Sequence, residues 1–113
     1  MAKALPALLL IAIPAFSAAH EEAEKGLQRI EALRVKINQI DQEVVTLLNR
    51  RAKVALEIGK VKQEIGKAVL DSKREEQVLK NLHDANYGPI SDQALRSVYQ
   101  AIMAAMKQLQ RAQ

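Results

Sequence analysis

The sequence predicts an all-α protein: three helices per subunit, the first very long, in an interwoven homodimer. Three observations carry that expectation. Ile30, Leu33, Ile37, Ile40, Val44, Leu47, Arg51, Val54, Ile58, Val61 and Ile65 alternate spacings of three and four without a slip, so they form one seam on one helix. Two shorter stretches downstream repeat a helical apolar period, each behind a capping residue. No run alternates at period two, so no strand is expected.

Residues 1–19 read as a leader rather than as part of the fold. Met1-Ala2-Lys3 is a short basic start, and Ala4 to Phe16 is uncharged and apolar, with Pro6 and Pro14 inside it. Ser17-Ala18-Ala19 then places small residues before His20, the pattern of a signal-peptide cleavage site. The run is shorter than the ~20 apolar residues of a spanning helix, so export, periplasmic or secreted, is expected rather than a membrane anchor. Were the leader not functional, the chain would stay cytoplasmic.

The first helix is expected from about Glu22 to Ile65, with Gly66 as its stop. A connector, residues 66–71, follows. Ser72-Lys73-Arg74-Glu75 has capping-box spacing and opens a second helix carrying Val78, Leu79 and Leu82. Asn86-Tyr87-Gly88-Pro89 is a turn cluster. Ser91 or Asp92 begins a third helix with the stripe Leu95, Val98, Ile102, Ala105 and Leu109.

Length turns these elements into a dimer. At 113 residues the chain is one domain at most, here residues 20–113. A first helix of about 40 residues is ~60 Å long, whereas a compact globule of this size is about 30 Å across. A three-helix monomer would leave half the seam in water. A symmetric dimer with paired long helices covers it.

Composition narrows the function. Without Lys3, the 17 Lys and Arg fall to 16 against 13 acidic residues, a balance of +3. That suits an anionic small molecule and is too weak for nucleic acid. Tyr87 and Tyr99 are the only aromatics after the leader, so a base-stacking platform is absent. There is no cysteine, hence no disulfide framework and no thiolate chemistry. His20 and His83 have no partners at metal-ligand spacing. Gly59 and Gly66-Lys67-Ala68 do not make a P-loop, because the spacing is wrong and Ala68 replaces the hydroxyl residue.

Arg51 is the one cation among ten aliphatic seam positions. An unpaired arginine there costs several kcal/mol, so an anion is expected beside it, either Asp71, Glu75 or Glu76 or a ligand. Lys62, eleven residues on, lies within about 20° of Arg51 on the helix. Arg34, seventeen residues before Arg51, is rotated about 100° away and cannot easily join them within one subunit, whereas in an antiparallel or interwoven pairing the partner's Arg34 could reach the same pocket.

Leu33-Arg34-Val35-Lys36-Ile37, Ile40-Asp41, Asn49-Arg50-Arg51-Ala52, Glu57-Ile58-Gly59-Lys60-Val61-Lys62, Asp71-Ser72-Lys73-Arg74-Glu75 and Gln110 stand in an order and spacing that resembles the all-helical chorismate mutases. The resemblance covers about residues 27–110. It implies a dimer of three-helix subunits that rearranges chorismate to prephenate, an intramolecular Claisen reaction without metal, cofactor or covalent intermediate. Position by position, it implies that Arg51, Lys62 and Arg74 come from one subunit and Arg34 from the other. Asp71 and Glu75 would hold the substrate hydroxyl, and Lys62 and Gln110 would donate to the ether oxygen. Arg51, Lys62 and Gln110 are thus the expected catalytic residues. The expected partners are chorismate and a second copy of the chain, with no nucleic acid and no membrane once the leader is removed. Met106 departs from the pattern, which commonly has serine there, and thioether sulfur cannot make a hydroxyl's hydrogen bonds. An isochorismate pyruvate lyase on the same fold is the nearest alternative, and a non-catalytic exported helical dimer is a more distant one.

Overall fold

The computed structural model describes residues 14–113, with side chains from residue 17 on. The described elements are three helices: α1, Pro14–Glu64; α2, Ser72–Ala85; and α3, Asp92–Arg111. There is no strand among the described residues, as the absence of period-two alternation predicts. Helix α1 is present well before Glu22, the expected start. Gly26 does not interrupt it, because one glycine costs a helix interior only about 1 kcal/mol. Most of the expected leader lies outside the described residues; of residues 1–19, those from Pro14 on are helical. No helix among the described residues is long and apolar enough to cross a membrane.

Each boundary has a local cause. Helix α1 closes in a Schellman motif, in which the Gly66 N–H donates to Gln63 O at 3.3 Å and the Lys67 N–H to Lys62 O at 2.8 Å. Gly66 sits at φ +70, a conformation that a side chain would strain. The N-cap of α2 lies one residue before the expected capping serine: it is Asp71, whose Oδ1 accepts from the Arg74 N–H at 3.0 Å. An aspartate cap also places negative charge at the positive end of the helix, which Ser72 cannot do. Glu75 is therefore not engaged in a capping box. Ser91 caps α3, its Oγ accepting from the Ala94 N–H at 3.1 Å. Ahead of it, Asn86 ties the turn together by donating to Ile90 O and to Asp92 Oδ1.

The chain forms two compact units, Met1–Val45 and Thr46–Gln113. Over its described residues the first is α1 alone. Its apolar seam, Leu27, Ile30, Leu33, Ile37, Ile40 and Val44, is exposed throughout. The second unit holds the end of α1 with α2 and α3. Here too the seam residues Leu47, Val54, Ile58, Val61 and Ile65 stay exposed.

The face of α1 that packs in the second unit is a neighbouring one, with Ala55 and Gly59 buried and Ala52, Leu56 and Lys62 half-buried. These small residues let α3 come close. A Cβ added at Gly59 would stand 3.0 Å from Gln110 Cγ and 3.3 Å from Gln110 Cβ. Met103 and Met106 of α3 complete the small core, in which Gln110 is also buried.

Candidate active site

The close approach of α3 to α1 assembles one polar cavity inside the second unit, of about 250 Å³. Helix α1 contributes Arg51, Ala55, Ile58 and Lys62; the connector contributes Val69 and Asp71; α2 contributes Arg74, Glu75 and Val78. Helix α3 closes the wall with Met103, Met106, Lys107 and Gln110. Four cations, Arg51, Lys62, Arg74 and Lys107, face two carboxylates, Asp71 and Glu75, which leaves a formal charge of +2.

Several of these groups are held in place by the fold. Lys62 Nζ donates to Val69 O at 3.0 Å, fastening the end of α1 to the connector, and the ammonium keeps two further N–H donors. Gln110, 8% exposed, donates from Nε2 to Ala55 O at 2.7 Å. A helix carbonyl only accepts, so it fixes which end of the amide faces α1, and one N–H remains for another acceptor. Glu75 Oε1 pairs with Lys107 Nζ at 2.7 Å.

Asp71 is held below the ordinary carboxylate range chiefly by the backbone N–H of Arg74. Partial burial opposes that effect, and the charges of Lys67, Lys62 and Arg74 reinforce it. Asp71 is thus a carboxylate at any neutral pH, an acceptor and never a donor. The guanidinium groups of Arg51 and Arg74 are different. Neither forms an ion pair among the described residues, although Arg51 is half-buried. The internal ion pair open to Arg51 on sequence grounds is not made: Asp71 caps α2, and Glu75 is taken by Lys107.

Six of the seven residues singled out from the sequence therefore line one cavity: Arg51, Lys62, Asp71, Arg74, Glu75 and Gln110. Arg34 is not among them. It lies in the first unit, exposed, with Nη1 on Glu31 Oε1 at 2.6 Å. Lys107 was missed. It precedes Gln110 by three residues, so the two share a face of α3, but nothing near it in sequence announces its bond to Glu75. The Ala55 carbonyl and the packing role of Gly59 were missed as well, since backbone acceptors and close approaches leave no pattern in a single sequence.

A larger hollow of about 410 Å³ lies between α2 and α3. Its walls include Leu79, Leu82 and Leu95, and its charges balance, Glu76 and Asp92 against Lys80 and Arg96. His83 Nδ1 and Asp92 Oδ2 satisfy each other at 2.8 Å. Size alone favours this hollow; unpaired charge favours the smaller cavity, and charge is what a ligand would answer.

A family model described as chorismate mutase type II matches residues 33–111. The chain belongs to the type II chorismate mutase family. Among solved structures, it is similar to form II of the chorismate mutase from Thermus thermophilus, with 35% identity and a TM-score of 0.73 over 75% of this chain and 97% of that one. Form I of the same protein gives 36% identity and a TM-score of 0.67, over 69% and 98%. A bifunctional chorismate mutase/prephenate dehydratase from Aquifex aeolicus is 32% identical over 89 residues, 75% of this chain and 25% of that protein. Another, from Neisseria gonorrhoeae, is 37% identical over 68 residues, 60% and 18%. The chain thus spans about a quarter or less of the length of these curated relatives.

Proposed function

We propose that this type II chorismate mutase domain rearranges chorismate to prephenate in the α1–α2–α3 cavity. The observation that carries the reading is Arg51: a half-buried guanidinium without an acidic partner, in a cavity of charge +2. Chorismate is a dianion, and arginine binds carboxylates through two parallel N–H bonds. The reaction breaks one C–O bond and makes one C–C bond in a single cyclic shift of electrons. It transfers no proton, so a cavity of cations, acceptors and one amide suits it.

Catalysis then has two parts. Arg51 and Arg74 hold the carboxylates, while Asp71 and Glu75 accept from the ring hydroxyl, so the substrate keeps its compact reactive shape. Lys62 and Gln110 donate to the ether oxygen as negative charge grows on it, and one such donor is worth about 3 kcal/mol of barrier. The Ala55 carbonyl supports Gln110 in this role by fixing its amide without consuming both N–H groups.

The exposed seam favours a second copy as partner. Burying an aliphatic side chain is worth about 1.5–3 kcal/mol, and the seam leaves a whole row of them in water. In such a homodimer Arg34 of the second copy completes the cavity, which accounts for its absence from the lining residues. The basic start, apolar run and Ser17-Ala18-Ala19 support export of the mature domain, which the mass of the N-terminal peptide of secreted protein would test.

The test is a supply of both candidate substrates to the full chain. Prephenate from chorismate is expected. Salicylate and pyruvate from isochorismate, with chorismate untouched, would replace the mutase by the lyase; no turnover of either would leave the helical dimer without an enzymatic role.

A further inference from the structure

We propose that Lys107 is a positioning residue of this site, acting through Glu75; the inference rests on the chorismate mutase reading. Lys107 is half-buried on α3, lines the cavity, and holds Glu75 Oε1 at 2.7 Å, the length of a charge-assisted hydrogen bond. Three features make this more than an incidental ion pair.

The first is charge. A carboxylate pointed at a dianionic substrate repels it, and Glu75 is such a carboxylate. Lys107 cancels that charge, and without it the cavity falls from +2 to +1. The second is geometry. With Oε1 on Lys107, the Glu75 carboxylate is fixed in rotation and Oε2 remains to accept from a hydroxyl. Because Asp71 rather than Glu75 organises the start of α2, no capping bond competes for this side chain.

The third feature is the neighbouring residue. Met106 is buried in the cavity wall, and its sulfur is at best a weak acceptor. Of the α3 residues lining the cavity, only Lys107 and Gln110 bring polar side chains, and Gln110 gives one of its two N–H groups to Ala55. The remaining charged groups face the pair from elsewhere: Arg51 and Lys62 from α1, Asp71 from the connector, and Arg74 from α2. Lys107 is the one cation among them that the structure joins to Glu75.

A hydroxyl that is neither made nor broken is held about equally in the ground and transition states, so loss of its acceptor should raise KM and spare kcat. The test compares wild type, Lys107→Met, Lys107→Gln and Lys107→Arg on chorismate and on its ring-hydroxyl methyl ether, which has no proton to donate. Lys107→Met and Lys107→Gln are expected to raise KM for chorismate about fivefold with kcat within about twofold, the scale of a half-exposed charge-assisted bond. Lys107→Arg is expected to restore KM, and on the methyl ether, which is still a dianion, the Met and Gln variants should show only the part of the rise that charge alone causes, smaller than the rise on chorismate. Unchanged KM for chorismate in the Met and Gln variants overturns the proposal, and so does an equal rise on the methyl ether. Melting curves of both variants separate a local effect from misfolding, since two unrelated replacements would have to unfold alike to imitate it. A wild-type chain that leaves chorismate unchanged overturns the mutase reading itself, a result distinct from either of these.

Discussion

One helix serves the two compact units in different ways. Up to Val45, α1 shows its apolar seam to solvent, and of the residues from Ser17 on only Ser17 and Gly26 are even half-buried. From Thr46 on, the seam is equally exposed, but an adjacent face carries Ala55 and Gly59 and receives α3. The polar groups of the cavity converge at that second face. A regular aliphatic seam marks where a helix wants a partner surface. Chemistry sits where small residues let another helix come near enough for backbone and side chains of three elements to meet. The sharpest experiments are those that separate these two properties of α1.

Arg51→Leu should have the largest effect, because it extends the seam and empties the site at once. Loss of a bidentate carboxylate ligand is expected to lower kcat/KM about a thousandfold. Stability should hold or rise, since leucine removes a half-buried, unpaired cation from an aliphatic row. Activity assays and thermal melts on the same preparations check both halves. Full activity in the leucine variant would move the site away from this face.

Gln110→Glu follows. At neutral pH the glutamate is ionised, offers no N–H to the ether oxygen and faces the Ala55 carbonyl, acceptor against acceptor. The expected loss of kcat/KM is about a hundredfold at neutral pH, recovered as the pH falls and the carboxyl becomes a donor. A variant with the wild-type pH profile would remove Gln110 from the chemistry.

Arg34→Ala tests the first unit, and a smaller loss is expected, about thirtyfold, the scale of one charge-assisted contact. If the second copy provides Arg34, Arg34→Ala and Arg51→Ala chains refolded together should form mixed dimers with one intact and one doubly depleted site. Random pairing then returns about a quarter of the wild-type activity. Failure to recover activity in mixtures that do exchange subunits would place Arg34 outside the site.

How much of this was legible in the sequence depended on how local each signal is. The long helix, its glycine stop and the cap of α3 are written within a few residues of one another, so periodicity and spacing reach them. The start of α2 at Ser72 is legible but its cap is not, because Asp71 and Ser72 are both good caps and only the fold reveals which oxygen meets the Arg74 N–H. Arg51 was legible because it contradicts its own pattern. Lys62, Asp71, Arg74, Glu75 and Gln110 became legible only through the spacing they share with a known family, since each alone is an ordinary helix or cap residue. Lys107 and the Ala55 carbonyl stayed hidden, because their bonds to Glu75 and Gln110 span 32 and 55 residues. No periodicity encodes a contact of that range.

The smallest effect concerns Asp71, which serves the start of α2 and the cavity together. Asparagine is as good an N-cap as aspartate, so Asp71→Asn keeps the bond to the Arg74 N–H and removes only charge. The carboxyl is held below its ordinary value in the folded chain, so its ionised form favours folding. That contribution is fully present above the unfolded-state value and is lost as the pH falls through the depressed folded value. The melting temperature of Asp71→Asn should therefore lie below that of wild type at neutral pH, with the gap narrowing in acid and closing beneath the ordinary carboxylate range. Added salt should narrow it too, because Lys67, Lys62 and Arg74 act through solvent-exposed distances. The absence of a gap at any pH would mean that Asp71 acts on α2 by shape alone, and its charge would then be free to serve the substrate hydroxyl.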